Sequence, residues 1–130
     1  MAIVREVFEA TARRDETMLA LYAEDAVWDA SRVNGGLDQG VKRGREEIRR
    51  YFREWHDAFS DSEYELDELV DAGEAVVSVA RHRGRGRTSG LALEREIAGV
   101  WTLVEGRIAR VVWFWTRAEA LAAADATAAG

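Results

Sequence analysis

Val4, Val7, Phe8 and Thr11 recur at three- and four-residue spacing, with Arg5, Glu6, Glu9 and Arg13 filling the other side. That period predicts an amphipathic first helix with one stripe facing a core. Asp15 stands where an N-cap is needed for a second, shorter helix carrying Met18, Leu21 and Tyr22. Ala26 to Ala30 then reads as a short strand, and Ser31 to Gly44, with Gly35, Gly36, Gly40 and Gly44, as a loop. After Gly44 the stripe Ile48, Tyr51, Phe52, Trp55 and Phe59 opposes Arg49, Arg50, Arg53, Glu54 and Asp57, the pattern of a long helix ending at Asp61-Ser62.

Three or four strands follow, at 63–71, 74–84, 90–104 and 107–116. Ala72-Gly73-Glu74 and Glu105-Gly106-Arg107 supply tight turns, and Gly84, Gly86 and Gly90 mark a third hairpin. The alanine-rich segment from Arg117 predicts a short helix fraying toward Gly130. Helices first and an antiparallel meander afterwards is an α+β order. The expected fold is a cone: a curved antiparallel sheet wrapped around a pocket by about three N-terminal helices. Nothing divides the chain, so residues 1–130 are expected to form one domain with an ordered core at about 3–121.

Composition narrows the function classes. A net charge of -6 argues against a duplex nucleic-acid binder, which needs a basic surface. With no cysteine, disulfides and thiolate metal sites are impossible. The first residues alternate charge with hydrophobe, so no signal peptide is expected, and no apolar run approaches the ~20 residues of a membrane span. A cytoplasmic protein is the expectation. The run from Arg81 to Arg87 alternates arginine with glycine, but it is short and flanked by strands, and reads as a charged hairpin protecting a sheet edge.

Alternation along strands nominates the residues inside the cone. If Val77 and Val79 face inward, so do Arg81 and Arg83, and His82 faces outward. Ile97, Gly99, Trp101 and Leu103 share one face of their strand, and Val111, Trp113 and Trp115 one face of the last. With Trp28, Phe52 and Trp55 these form an aromatic cavity for a hydrophobic small molecule. Arg81 is the candidate electrophile, able to hold a carboxylate, phenolate or enolate oxygen. Asp29 is the candidate general base: an inward position, reached through a strand-end bulge, would raise its pKa in an apolar setting. Strict alternation turns it away from the face of Trp28 instead.

His56 sits beside the helix's apolar stripe, and the two histidines lack metal-ligand spacing, so no metal site is expected. Ser31, Ser78 and Ser89 have no signalled base. The chain carries no phosphate-cradling glycine loop before a helix, so no cofactor is expected either.

The words Leu21-Tyr22-Ala23-Glu24-Asp25-Ala26-Val27-Trp28 and Gly44-Arg45-Glu46-Glu47-Ile48 lead a further series. It continues with Gly84-Arg85-Gly86, Ser89-Gly90, Val100-Trp101-Thr102-Leu103, Glu105-Gly106-Arg107-Ile108 and Trp113. In that order the chain resembles the SnoaL-like, ketosteroid-isomerase-like branch of the nuclear transport factor 2-like superfamily, over residues 3 to 121. The resemblance implies a homodimer paired through the outer face of the sheet. It leaves function open, because one superfold hosts many chemistries.

The chemistries of that superfamily can be carried over position by position. The steroid isomerases' catalytic tyrosine falls at Val7 and their protonated aspartate at Gly99; their base falls at Ala30, or at Asp29 after a one-residue slip. The limonene-epoxide hydrolases' strand arginine has a counterpart in Arg81, but the acid two residues later would be Arg83. The resemblance therefore implies either a cofactor-independent acid/base enzyme of isomerase, hydrolase or cyclase type acting on an apolar oxygenated substrate, or a non-catalytic binder with the same cavity. A cone filled by its own side chains is the third reading.

Overall fold

The structure is a computed structural model and describes residues 2–13, 15–33, 40–86 and 92–129. Helix α1 (Ala2–Ala12) is followed by a 3₁₀ helix (Glu16–Leu21), strands β1 (Tyr22–Asp29) and β2 (Val41–Arg43), and helix α2 (Gly44–Ala58). Strands β3 (Phe59–Asp71), β4 (Ala75–Gly86), β5 (Ala92–Val104) and β6 (Arg107–Phe114) lead to helix α3 (Arg117–Ala129). The six strands form one curved, unclosed sheet in the order β2-β1-β6-β5-β4-β3. It is mixed rather than wholly antiparallel, because β1 runs parallel to β6. The α+β cone read from the sequence is the architecture observed.

Local chemistry explains most boundaries. Asp15 caps the 3₁₀ helix, its Oδ1 accepting from the Thr17 amide at 3.0 Å and the Thr17 hydroxyl at 2.7 Å. Gly44 opens α2 at φ +83, a left-handed backbone that disfavours any side chain. Glu46 and Glu47 then place negative charge at the helix's positive end, and Glu47 Oε1 accepts from the Arg43 amide at 3.0 Å. Glu105 and Gly106, at φ 52 and 79, make the two-residue turn that joins β5 to β6.

Several boundaries differ from the sequence reading. Helix α2 ends at Ala58 and β3 begins at Phe59, so the helix stops before Asp61-Ser62. The short β2 lay unseen in a segment read as loop, because three residues give too little alternation to detect. Residues 34–39 of that loop, and the 87–91 turn of the third hairpin, lie outside the described residues. The alanine-rich tail forms a helix to Ala129, with Ala120 and Ala124 buried.

The sheet has two different faces. On the concave face Val76, Ala80, Ile97, Trp101, Val111 and Trp113 pack with the stripes of α1 and α2: Val4, Val7, Phe8, Ile48, Tyr51 and Trp55. On the convex face Ala75, Val77, Ala98, Val100 and Phe114 pack with Ala120 and Ala124 of α3. Burial of both faces explains the apolar run in β4, where neither alternate set of residues is polar enough to declare itself.

Candidate functional site

The concave face holds a cavity of about 30 Å³ lined by Phe8, Tyr22, Trp28, Tyr51, Trp101 and Trp113, among others. Its half-exposed lining residues Thr11, Phe52 and Tyr64 mark the mouth. A single water needs roughly 10–15 Å³ of such space, whereas a cavity that takes benzene measures about 150 Å³. The space therefore suits about two waters, and a ring-sized ligand requires Phe52 or Tyr64 to swing aside.

The wall is a set of interlocked rings. Trp28 lies 4.3 Å from Tyr51 and 6.1 Å from Trp113, and Trp113 meets Trp101 edge-on at 5.5 Å. Trp101 Nε1 donates to Ser78 Oγ at 2.8 Å, which fixes its ring against the floor of the sheet. Gly99 makes room for this arrangement. A Cβ there would stand 2.9 Å from Trp101 Nε1, 3.0 Å from Ser78 Oγ and 3.0 Å from Trp113 Cζ3.

Polar groups in the wall are few and uncharged. Tyr22 is 1% exposed and stands in the cavity wall. Burial, with nearby Tyr64 adding to it, raises the pKa of that phenol well above its ordinary value, so it remains a neutral donor. The main chain at Tyr22 is held by Arg45, which donates to the Tyr22 backbone carbonyl through Nε at 3.0 Å and Nη2 at 2.7 Å. The Trp113 indole N–H is buried without an acceptor among the described residues.

Four of the sequence-nominated residues, Trp28, Phe52, Trp101 and Trp113, line this cavity. Trp55 and Trp115 lie beyond it: buried Trp55 stands 4.5 Å from the His82 ring, and the Arg95 guanidinium lies 5.0 Å over Trp115.

Asp29 and Arg81 are not brought together. Arg81 is in register with Glu96 and Glu65, and pairs with Asp67 at 3.2 Å and Glu65 at 3.6 Å on the convex side. The phase of β4 is the reverse of the one read from Val77 and Val79: Val76, Ser78, Ala80 and His82 face the cone. Arg83 follows Arg81, pairing with Glu65 at 3.4 Å and Glu94 at 3.5 Å.

Asp29 obeys strict alternation: Trp28 pairs with Val111 on the concave face, and Asp29 with Val112 on the other. Its Oδ1 accepts from the Ser31 amide at 2.9 Å and hydroxyl at 2.6 Å, and Oδ2 lies 3.6 Å from Arg110. Burial alone would raise its pKa, but the Ser31 bonds, Arg110 and Arg32 outweigh burial and hold it below the ordinary carboxylate value. This is the charge-stabilised setting of a structural carboxylate, the reverse of the raised pKa that a general base in an apolar pocket needs.

His82, expected outside, is fully buried on the concave side. Its ring stacks on Tyr64 at 4.3 Å with 7° between planes. Burial, with the Arg95 charge adding, lowers its pKa from 6.5 to about 3. Tyr22, Tyr51, Tyr64, His82 and Arg95 were not nominated from sequence. Tyr51 carried a signal as part of the long helix's stripe, and Tyr22 as an apolar position read into the second helix, where the structure instead starts β1.

A curved, half-closed sheet with helices on its concave side and an aromatic cavity between them defines the small-cavity α+β cones. The chain belongs to the SnoaL-like domain family, whose model matches residues 4–111. It is similar to a nuclear transport factor 2-like protein from Burkholderia thailandensis, at 30% identity over 92% of this chain and 95% of that one, with TM-score 0.81. A like protein from Burkholderia pseudomallei has 27% identity over 92% of each chain and TM-score 0.78. At 15% identity, a Catenulispora acidiphila protein of ketosteroid isomerase-like fold, solved with trimethylamine, shares the fold alone: TM-score 0.75 over 95% of this chain and 92% of that one. No curated protein matches the sequence. No helix among the described residues is long and apolar enough to cross a membrane.

Proposed function

We propose that this protein is a non-catalytic binder of a small apolar molecule bearing an acceptor oxygen, held in the aromatic cavity. The observation that carries this reading is the pair of neutral donors in the wall: the Trp113 indole N–H, buried without an acceptor among the described residues, and the Tyr22 hydroxyl, on a buried ring and kept neutral. An unmatched buried donor costs about 1–3 kcal/mol, and a carbonyl or ether oxygen on a ligand recovers it. The described lining residues include no carboxylate, so the acid/base enzyme of isomerase, hydrolase or cyclase type lacks its base in this cavity. Phe52 and Tyr64, half-exposed at the mouth, are the side chains that yield to admit a ring. The homodimer paired through the outer sheet face belongs to the same proposal, and analytical ultracentrifugation tests it separately.

Titration with acetophenone, followed by tryptophan fluorescence and calorimetry, tests the pocket. Wild type is expected to bind it, and Tyr22→Phe to bind it about 3- to 10-fold more weakly, the worth of one neutral hydrogen bond. Equal affinity in the two proteins sinks the donor assignment. The small size of the cavity, about 30 Å³, favours a second reading in which the rings are simply core. Absence of binding up to the solubility limit of the probe selects that one.

A further inference from the structure

A second opening lies between β2 and α2, with about 210 Å³ of space, beyond the ~150 Å³ that takes benzene. It is lined by Lys42, Glu47, Arg50, Tyr51 and Glu54. Positions 47, 50, 51 and 54 follow helical spacing and share one side of α2. Lys42 faces them from β2: it is in register with Trp28, so it rises on the concave side of the sheet, where α2 packs. Tyr51, buried, lines both this cleft and the aromatic cavity and stands between them; no other lining residue is shared. Elsewhere on α2 the arginines are paired, Arg49 with Glu46 at 2.6 Å and Arg53 with Glu16 at 2.8 Å. Lys42, Arg50 and Glu54 make no ion pair or hydrogen bond among the described residues. Arg50 and Glu54 even stand at the i, i+4 spacing at which such a pair can close. Glu47 differs, since its Oε1 accepts from the Arg43 amide at 3.0 Å.

We propose that this cleft is a second ligand site, for a small zwitterion of the amino-acid class, with its carboxylate between Lys42 and Arg50 and its ammonium on Glu54. Charges of both signs around one space complement a molecule that carries both. A pure anion would meet Glu47 and Glu54, and a pure cation would meet Lys42 and Arg50. Arg50 and Glu54 are one helical turn apart, about 6 Å along the axis, which suits the two ends of a four-carbon amino acid. Binding here does not depend on what occupies the aromatic cavity.

Three four-carbon chains that differ only at their ends isolate the charge pattern: γ-aminobutyrate carries both signs, succinate two negative charges and putrescine two positive. By calorimetry at neutral pH and low salt, wild type is expected to bind γ-aminobutyrate about 5-fold or more tightly than either of the others, the worth of one mispaired charge. Glu54→Gln is expected to weaken γ-aminobutyrate binding and turn the preference toward succinate. Arg50→Gln is expected to weaken it and turn the preference toward putrescine. Arg49→Gln is expected to change neither affinity nor preference, and acetophenone binding should be the same in all three variants. Lys42 is the only lysine in the chain, so isotope-labelled methylation, which keeps its charge, gives one side-chain signal by nuclear magnetic resonance that γ-aminobutyrate is expected to shift. Arg50 and Glu54 are exposed, so both variants should fold; should either fail, the Lys42 signal and the probe ranking in wild type carry the test. Succinate or putrescine binding as tightly as γ-aminobutyrate, a preference unmoved by Arg50→Gln and Glu54→Gln, an unshifted Lys42 signal, or no binding at millimolar concentration each overturns the zwitterion site. None of these results touches the reading of the aromatic cavity.

Discussion

Acidification should destabilise this fold through His82, and the size of the effect follows from its burial. The imidazole has no solvent exposure and is packed between Tyr64 and Trp55 at 4.3 and 4.5 Å. Burial and the Arg95 charge hold its pKa at about 3, against 6.5 for the exposed group. In this range the unfolded chain binds the proton and the folded one does not, so stability rises with pH. The contribution is fully present above pH 6.5 and is lost as pH falls toward 3. At pH 4.5, two units below the unfolded value, the loss is about 3 kcal/mol at 1.36 kcal/mol per unit. That is a large share of the roughly 5–15 kcal/mol that stabilises a domain.

Urea unfolding at pH 7, 5.5 and 4.5, followed by circular dichroism, measures the effect. The reference is His82→Phe, which keeps a ring in the stack but cannot titrate. Carboxylates with lowered pKa, such as Asp29 and Glu68, add acid sensitivity of their own. Both proteins share them, so the difference in slope belongs to His82. The variant carries a constant offset from its altered packing and should lose about 3 kcal/mol less than wild type between pH 7 and 4.5. Parallel pH profiles would refute the argument, because they would mean that the folded imidazole takes up its proton as readily as the unfolded one.

Gly99→Ala should destabilise by about 1–3 kcal/mol, because the new methyl meets Trp101, Ser78 and Trp113 at 2.9–3.0 Å; urea unfolding reads it, and a neutral result would show that the rings give way freely. Ser78→Ala strands the buried Trp101 indole N–H and should cost about 1–3 kcal/mol, with a change in tryptophan fluorescence that a mere loss of volume would not give. Arg81→Ala should shift stability by less than about 1 kcal/mol, since its carboxylate pairs are solvent-exposed; ligand affinity should stay unchanged in the same titrations, and a weakened affinity would return Arg81 to the site.

The overall order of elements was readable because helix stripes such as Ile48, Tyr51 and Trp55, and turn pairs such as Glu105-Gly106, declare themselves within a few residues. The facing of β4 was not. Val76, Val77, Ser78, Val79 and Ala80 are all buried, so alternation has no polar set to contrast with the apolar one. Which set faces inward is decided by α3, which lies more than thirty positions later in the chain and covers Val77. A one-residue error of phase then exchanged Arg81 for His82. Arg95 escaped notice for a related reason: a charge flanked by Glu94 and Glu96 looks like surface until the register with His82 is known. On β5 and β6, where Gly99, Trp101 and Trp113 broke the symmetry between faces, sequence reasoning found the correct side.

The division of charge between the two faces bears on whether a catalyst is needed here at all. The convex side gathers Asp29 with Arg110, Arg81 with Asp67, and Arg83 with Glu65 and Glu94, each carboxylate close to a cation. At Asp29 burial would raise the pKa, but the Ser31 bonds with Arg110 and Arg32 hold it below its ordinary value, the reverse of what proton transfer near neutrality exploits. The cavity wall has donors in Tyr22 and Trp113, and no carboxylate among its described residues. On the reading proposed above, these donors hold an oxygen of the ligand, and no carboxylate among the described lining residues stands beside it to move a proton.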